Sequence, residues 1–403
     1  MKRFAALLLA SLVLLSFISC VKQTGSDEPA PDGAGSSTDE GFITIDRQGT
    51  FSDMLISPLI EANGTYYYAI GRQNSKVFFC DKESRDWMPL CFRPDCFHKT
   101  LDCNAYLGGR ISGSTIWAYG KYIYYVLSGS GMTPSLWRMK LDGSEHERVL
   151  AFDYEKENDI YNSFTWDFYF HNKYLYAWFW GSNEELAMTP RGFETLIFLV
   201  DLSRDKPQVE QTSFTYDTGM PFCGKDNIVY CWNTPNNNSI VKADLETGSW
   251  EKLCEFPFYP TTGFILKDDR LYAADSDKLV YVDTNTGEIA TACTLESGKH
   301  YKLTEEYIIG GRSGRKAPTE TEIANGRADT LIYDFEGNLV RRIPYGSYGM
   351  DIGPTFSSGN IVFGTLRNNT AKEANIAVPE WYLDLSEVGD PDMTWRRWAP
   401  DGE

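Results

Sequence analysis

Between positions 91 and 103 the chain reads CFRPDCFHKTLDC, which sets three cysteines and a histidine in the spacing C-x4-C-x-H-x4-C. Thiolate sulfur and imidazole nitrogen are the donors of structural zinc, and four of them close a tetrahedral site. Cys91, Cys96, His98 and Cys103 are therefore candidate ligands of a structural Cys3His zinc. A second chemistry competes. With Cys80 as a fourth thiol the count is even, and two disulfides would form in an oxidising compartment. Plain buried thiols are the third outcome. In both cross-linked cases the role is structural, because a closed site leaves no open position for a reacting group.

Catalytic patterns are mostly absent. There is no G-x-S-x-G nucleophile elbow, no H-E-x-x-H and no phosphate-binding G-x-x-x-x-G-K-[ST]. Outside the cysteine segment only His146, His171 and His300 remain. A lyase-type metal site would need all three to converge.

The compartment follows from the N-terminus. Lys2 and Arg3 precede an apolar run from Phe4 to Ile18, then Ser19 and Cys20. This is a signal-peptide pattern, too short for a spanning helix. The end of the run, FISC, resembles a bacterial lipobox, which implies cleavage before Cys20 and a lipid on its thiol. Residues 1–19 are thus expected to be a signal peptide. Residues 20–40 are rich in Gly, Ser, Pro and Asp, with no apolar period, and form a flexible tether on the order of 25 Å in span. Removing residues 1–19 takes away two positive charges, so a formal charge of −18 becomes −18 − 2 = −20. Such a surface repels phosphate backbones, which excludes nucleic acid as a partner.

The body, residues 41–403, repeats itself. A turn followed by alternating aromatic and aliphatic residues recurs as NGTYYYA (from 63), GKYIYYV (120), NKYLYAW (172), KDNIVYC (225), KDDRLYA (267), TEEYIIG (304) and SGNIVFG (358). After each comes an apolar pair, an aspartate and a turn; the aspartates are Asp81, Asp142, Asp201, Asp244, Asp283, Asp334 and Asp384. The first phrase suits a pleated, buried strand, the second a strand ending in a hairpin. Seven interlocked units of about 52 residues predict an all-β chain, a seven-bladed β-propeller. Each aspartate is expected just after the third strand of its blade. FITI at 42–45 is a candidate to pair into the last blade and close the ring, beside MTWRRW at 393–398.

Within that frame other residues find roles. The run YLYAWFWG at 174–181 is apolar on both faces, so Trp178 and Trp180 on one face and Ala177 and Phe179 on the other are expected in core between blades rather than on a sugar platform. Cys223 and Cys231 flank a strand start and are close enough in sequence to pair. Cys254 and Cys293 fall in the last strands of consecutive blades and are candidates to meet across the contact between them. Two long polar inserts, 181–196 and 311–330, are candidates for a recognition surface if they share a rim.

The segment PLCFRPDCFHKTLDCNAY, 89–106, is similar to a stretch of uncharacterised bacterial β-propeller lipoproteins that carry Pro-Leu-Cys-x2-Pro-x-Cys-x-His-x4-Cys. Pro89, Leu90, Cys91, Pro94, Cys96, His98 and Cys103 match it. The resemblance implies a lipid-anchored, outward-facing envelope protein of bacteria and assigns no activity. The expected function is therefore a non-catalytic binding or interaction propeller, a monomer, that recognises a glycan, a peptide or an envelope protein. The alternative is a carbohydrate-active enzyme on the same fold, a polysaccharide lyase or glycosidase.

Overall fold

The structure is a computed structural model. It describes residues 59–398 apart from 71–74, 130–131, 154–162, 189–192, 215–217, 234–237, 259–263, 276, 313–316, 348–351 and 367–378. Cys20, the segments 1–19 and 20–40, and FITI lie outside the described residues.

The chain is a seven-bladed β-propeller. Each blade is a four-stranded antiparallel meander, and the seven follow one another in sequence. The first contains β1 (Leu59–Ala62), β2 (Thr65–Ile70), β3 (Lys76–Asp81) and the short β4 (Met88–Pro89); β5 (Arg110–Tyr119) opens the second. First strands of neighbouring blades lie close to one another, as β1 does to β5, so they surround the axis. The last blade runs from Ile352–Ser358 to Arg396–Arg397, and MTWRRW supplies its fourth strand. All four of its strands are consecutive in the chain.

Burial explains the ring. Seven apolar layers separate the blades, and the seventh joins Phe363, Tyr382 and Trp398 of the last blade to Leu59, Tyr66 and Cys80 of the first. One blade leaves both its faces apolar, so only stacking on two neighbours removes them from water. The strand Tyr174–Ser182 shows this residue by residue. Leu175, Ala177 and Phe179 enter the layer toward the second blade. Tyr174, Tyr176 and Trp178 enter the layer toward the fourth. Tyr174 to Phe179 are core, as the two apolar faces predict, whereas Trp180 is exposed near the strand end.

The seven aspartates stand at the end of the third strand of their blades or within two residues after it. Their carboxylates hold the turns to the fourth strands. Asp244 Oδ1 accepts from the N–H groups of Glu246 at 2.9 Å and Thr247 at 3.2 Å. Asp283 does the same with Asn285 and Thr286, both at 2.9 Å. Asp142, Asp201 and Asp384 use a serine two positions on. This is the Asx-turn habit of aspartate, and it explains why one residue type repeats there.

The cysteine pairs expected elsewhere do not form. All eight described cysteines are free thiols. A bulge between Pro221 and Cys223 sets Cys223 opposite Tyr230, one residue from Cys231. Strand alternation then sends the two thiols to opposite faces, into different layers. Cys254 and Cys293 hold equivalent places in consecutive blades, so they point the same way and enter successive layers instead of meeting.

Candidate metal centre

The cysteine segment lies at the outer edge of the first blade. β4 pairs with β3 through Phe78–Pro89 and Phe79–Met88. The next residue, Leu90, donates its N–H to the Val77 carbonyl at 2.9 Å, and Val77 donates its own N–H to the Ala105 carbonyl, also at 2.9 Å. Pairing then resumes with Tyr106 opposite Lys76 and with Leu107 N–H on the Ser75 carbonyl at 3.0 Å. Leu90 and Ala105 together thus serve Val77 as a single partner residue would. The sequence predicts a connection between blades; the structure shows residues 91–104 inserted within the outer strand itself, with 105–109 leading on to β5.

At the neck of this insertion the four candidate ligands converge. The donor atoms of Cys91, Cys96, His98 and Cys103 all lie within 4.8 Å of one another. Zinc with Zn–S bonds of about 2.3 Å sets its tetrahedral donors about 3.8 Å apart, so a small contraction fits them to the ion. His98 Nδ1 is 3.2 Å from Cys103 Sγ. The His98 backbone is left-handed, with φ 53°. That conformation is uncommon for a residue with a side chain. Here it lets the ring reach Cys103 while the backbone N–H donates to Cys96 Sγ at 3.4 Å. No other group of metal-capable side chains converges among the described residues.

The surroundings act differently on the individual donors. Arg93 donates to Cys96 Sγ at 3.4 Å and to the Asp102 carbonyl at 2.5 Å, tying one arm of the loop to the other. Burial acts to raise the Cys91 thiol. The Arg93 backbone N–H, the Cys103 thiol and the Arg93 guanidinium outweigh it and bring Cys91 to about 7. Cys103 is pushed up to about 11, by burial first. Burial, with Lys76 and Arg93 behind it, lowers the pKa of His98, so the ring is held neutral and able to ligate.

Cys80 stands apart from this cluster. It lies in the layer between the first and last blades, where its sulfur accepts from Trp398 Nε1 at 3.1 Å. The disulfide pairing with Cys80 therefore has no geometric basis here. Burial lifts the Cys80 thiol to about 11, which keeps it protonated.

The remaining histidines do not converge. His146 Nε2 meets the carbonyls of Asn104 and Gly143, both at 2.9 Å, and its Nδ1 meets the Tyr125 hydroxyl at 2.9 Å. It fastens the foot of the insertion to the second blade, a role that no local spacing in the sequence marks. His171, in the third blade, meets the Asp226 carbonyl at 2.8 Å, and His300 belongs to the sixth blade.

The two polar inserts join second to third strands, in the third and sixth blades. A meander places such connections at the same end of every blade, so both inserts share one side of the ring. The first contains helix α1 (Glu184–Ala187), the second helix α2 (Glu320–Ala324) with a Thr319–Glu322 capping box. Lys299 Nζ donates to the carbonyls of Gly326, Arg327 and Asp329 at 3.3, 3.0 and 2.8 Å, folding the second insert onto its blade.

No protein-family model matches the chain. No curated protein matches it either. Solved structures do. BamB from Moraxella catarrhalis is 12% identical, over 76% of this chain and 81% of that one, with a TM-score of 0.40. An oligogalacturonate lyase in complex with manganese is 12% identical, over 76% and 83%, with a TM-score of 0.43. A prolyl endopeptidase is 13% identical, over 85% of this chain, with a TM-score of 0.50; the chain spans 49% of its length. The likeness is one of fold. At 12–13% identity it does not decide whether this chain is a catalyst.

Proposed function

We propose that this chain is an outward-facing bacterial envelope lipoprotein, tethered through Cys20 and residues 20–40, whose propeller, residues 41–403, binds rather than catalyses. Its partner is a glycan, a peptide or another envelope protein, and a structural zinc held by Cys91, Cys96, His98 and Cys103 shapes its first blade. The observation that carries the binding reading is the closed donor set. Four protein donors fill a tetrahedral ion and leave no position for water or substrate, so the metal holds a loop in shape. His146, His171 and His300 form no metal-capable group among the described residues, which speaks against a lyase-type histidine centre. The signal-like N-terminus and lipobox-like FISC support the anchor. No helix among the described residues is long and apolar enough to cross a membrane.

The test of the anchor is Cys20→Ala in cells. The variant should be released, or stay as an uncut precursor. A processed variant that still sediments with membranes would contradict it. The test of binding is a glycan and peptide array probed with the purified chain, backed by capture of envelope proteins. Turnover of an arrayed polysaccharide would instead support the enzyme.

A further inference from the structure

We infer that one side of the propeller, with the cysteine loop at its rim, rests on the bilayer surface. This deepens the lipoprotein reading and rests on it. The loop exposes three large apolar side chains: Phe92 is 67% exposed, Phe97 85% and Leu101 78%. Each is one or two positions from a ligand, so the ligand cluster that orders the loop orders all three.

Strand topology shows which side of the ring they belong to. In a four-stranded meander the first strand begins, the second joins the third, and the fourth leaves, all at one end. In the first blade the row Leu59, Tyr68, Phe78, Pro89 crosses the sheet at that end. The chain therefore comes into β1 from the side on which the loop leaves β4. Of the other exposed apolar side chains four are on the same side, while Trp250, Leu339 and Val340 open fourth strands on the opposite side. Met188, 88% exposed, and Ile323 are on the two inserts, and Phe164 and Trp180 are at strand ends of the third blade. The opposite side carries the short aspartate-held turns.

Spread over the first, third and sixth blades, these side chains form no single groove of the kind a peptide fills. A planar apolar phase can meet them together. Charge agrees. In a chain of formal charge −18, loop residues 91–104 are balanced, with Arg93 and Lys99 against Asp95 and Asp102. An anionic lipid surface repels the acidic body but not this neutral, apolar loop. The side facing away, with its rigid turns, is left for the partner.

The test places a photoreactive residue in the full chain, in membranes of cells that make it. Phe97→p-benzoylphenylalanine is compared with Trp250→p-benzoylphenylalanine, at the start of a fourth strand on the opposite side. Lipid adducts at position 97 should exceed those at 250 by about tenfold, the ratio for one large apolar side chain leaving water. Protein adducts in place of lipid at 97, or equal labelling at the two positions, overturn the inference. Mass analysis of the N-terminal peptide judges the anchor separately. If Cys20 carries no acyl group, the lipoprotein reading fails alone. The two purified variants are then irradiated with vesicles of phosphatidylethanolamine and phosphatidylglycerol, and the same ratio decides.

Discussion

Val77 and Ala105 are joined by a 2.9 Å hydrogen bond from the N–H of one to the carbonyl of the other. The Val77 carbonyl is taken by Leu90, so one residue of β3 binds both ends of the cysteine insertion. The loop thus leaves the sheet and returns to it at one point. Metal ligands just beyond that point would hold the loop's shape without carrying the ring.

Chelation should therefore loosen residues 91–104 and spare the propeller. Trypsin is expected to cut after Lys99 once the metal is removed, while far-ultraviolet circular dichroism keeps its β signal. Global unfolding on chelation would show that the metal supports more than the loop.

Cys80 and Trp398 meet in the layer that closes the ring, with Trp398 also edge-on to Tyr382 at 4.9 Å. Trp398→Ala should cost about 3–5 kcal/mol in denaturant unfolding, the range for deleting a large buried aromatic. Cys80→Ala should cost less and leave metal content unchanged. Loss of metal in Cys80→Ala would return that thiol to the cluster.

Much of this was legible in the sequence. The seven aspartates mark third-strand ends because a carboxylate two or three residues before free N–H groups is a local device, written in adjacent residues. The convergence of Cys91, Cys96, His98 and Cys103 was legible for the same reason. The insertion within the outer strand was not. β4 is only two residues long before the break, and its continuation at Ala105–Leu107 is recognised only through its pairing with β3. Cys223 and Cys231 misled because a bulge shifts the alternation by one residue, and bulges leave no spacing signal. His146 was hidden because its partner, Asn104, is distant in sequence.

Asp244→Ala should destabilise by about 1 kcal/mol, the usual net worth of a hydrogen bond. Asp142 adds a pH signature. Bonds from the Ser144 hydroxyl and N–H hold its carboxyl below the ordinary value of 3.8. Its contribution is present above that value and is lost as pH falls through the lower folded one. Asp142→Asn should flatten the acid limb of the stability profile; an unchanged limb would remove the turn from the account.

Lys302, in the first strand of the sixth blade, titrates the other way. Burial pulls its ammonium from 10.5 to about 8. Between those values the unfolded chain holds a proton that the folded chain has released, so this residue makes stability rise with pH. Lys302→Met should remove this pH dependence, so that its stability relative to wild type is greatest near pH 7 and falls toward pH 10. A constant difference across that window would show that Lys302 does not titrate there.

The central claim is a closed Cys3His metal site, and metal analysis of the full chain purified without reductant or chelator tests it most directly. The account predicts stoichiometric zinc, retained in Cys80→Ala and lost in His98→Ala. Absence of metal, with Cys91, Cys96 or Cys103 recovered in disulfide-linked peptides, would contradict it.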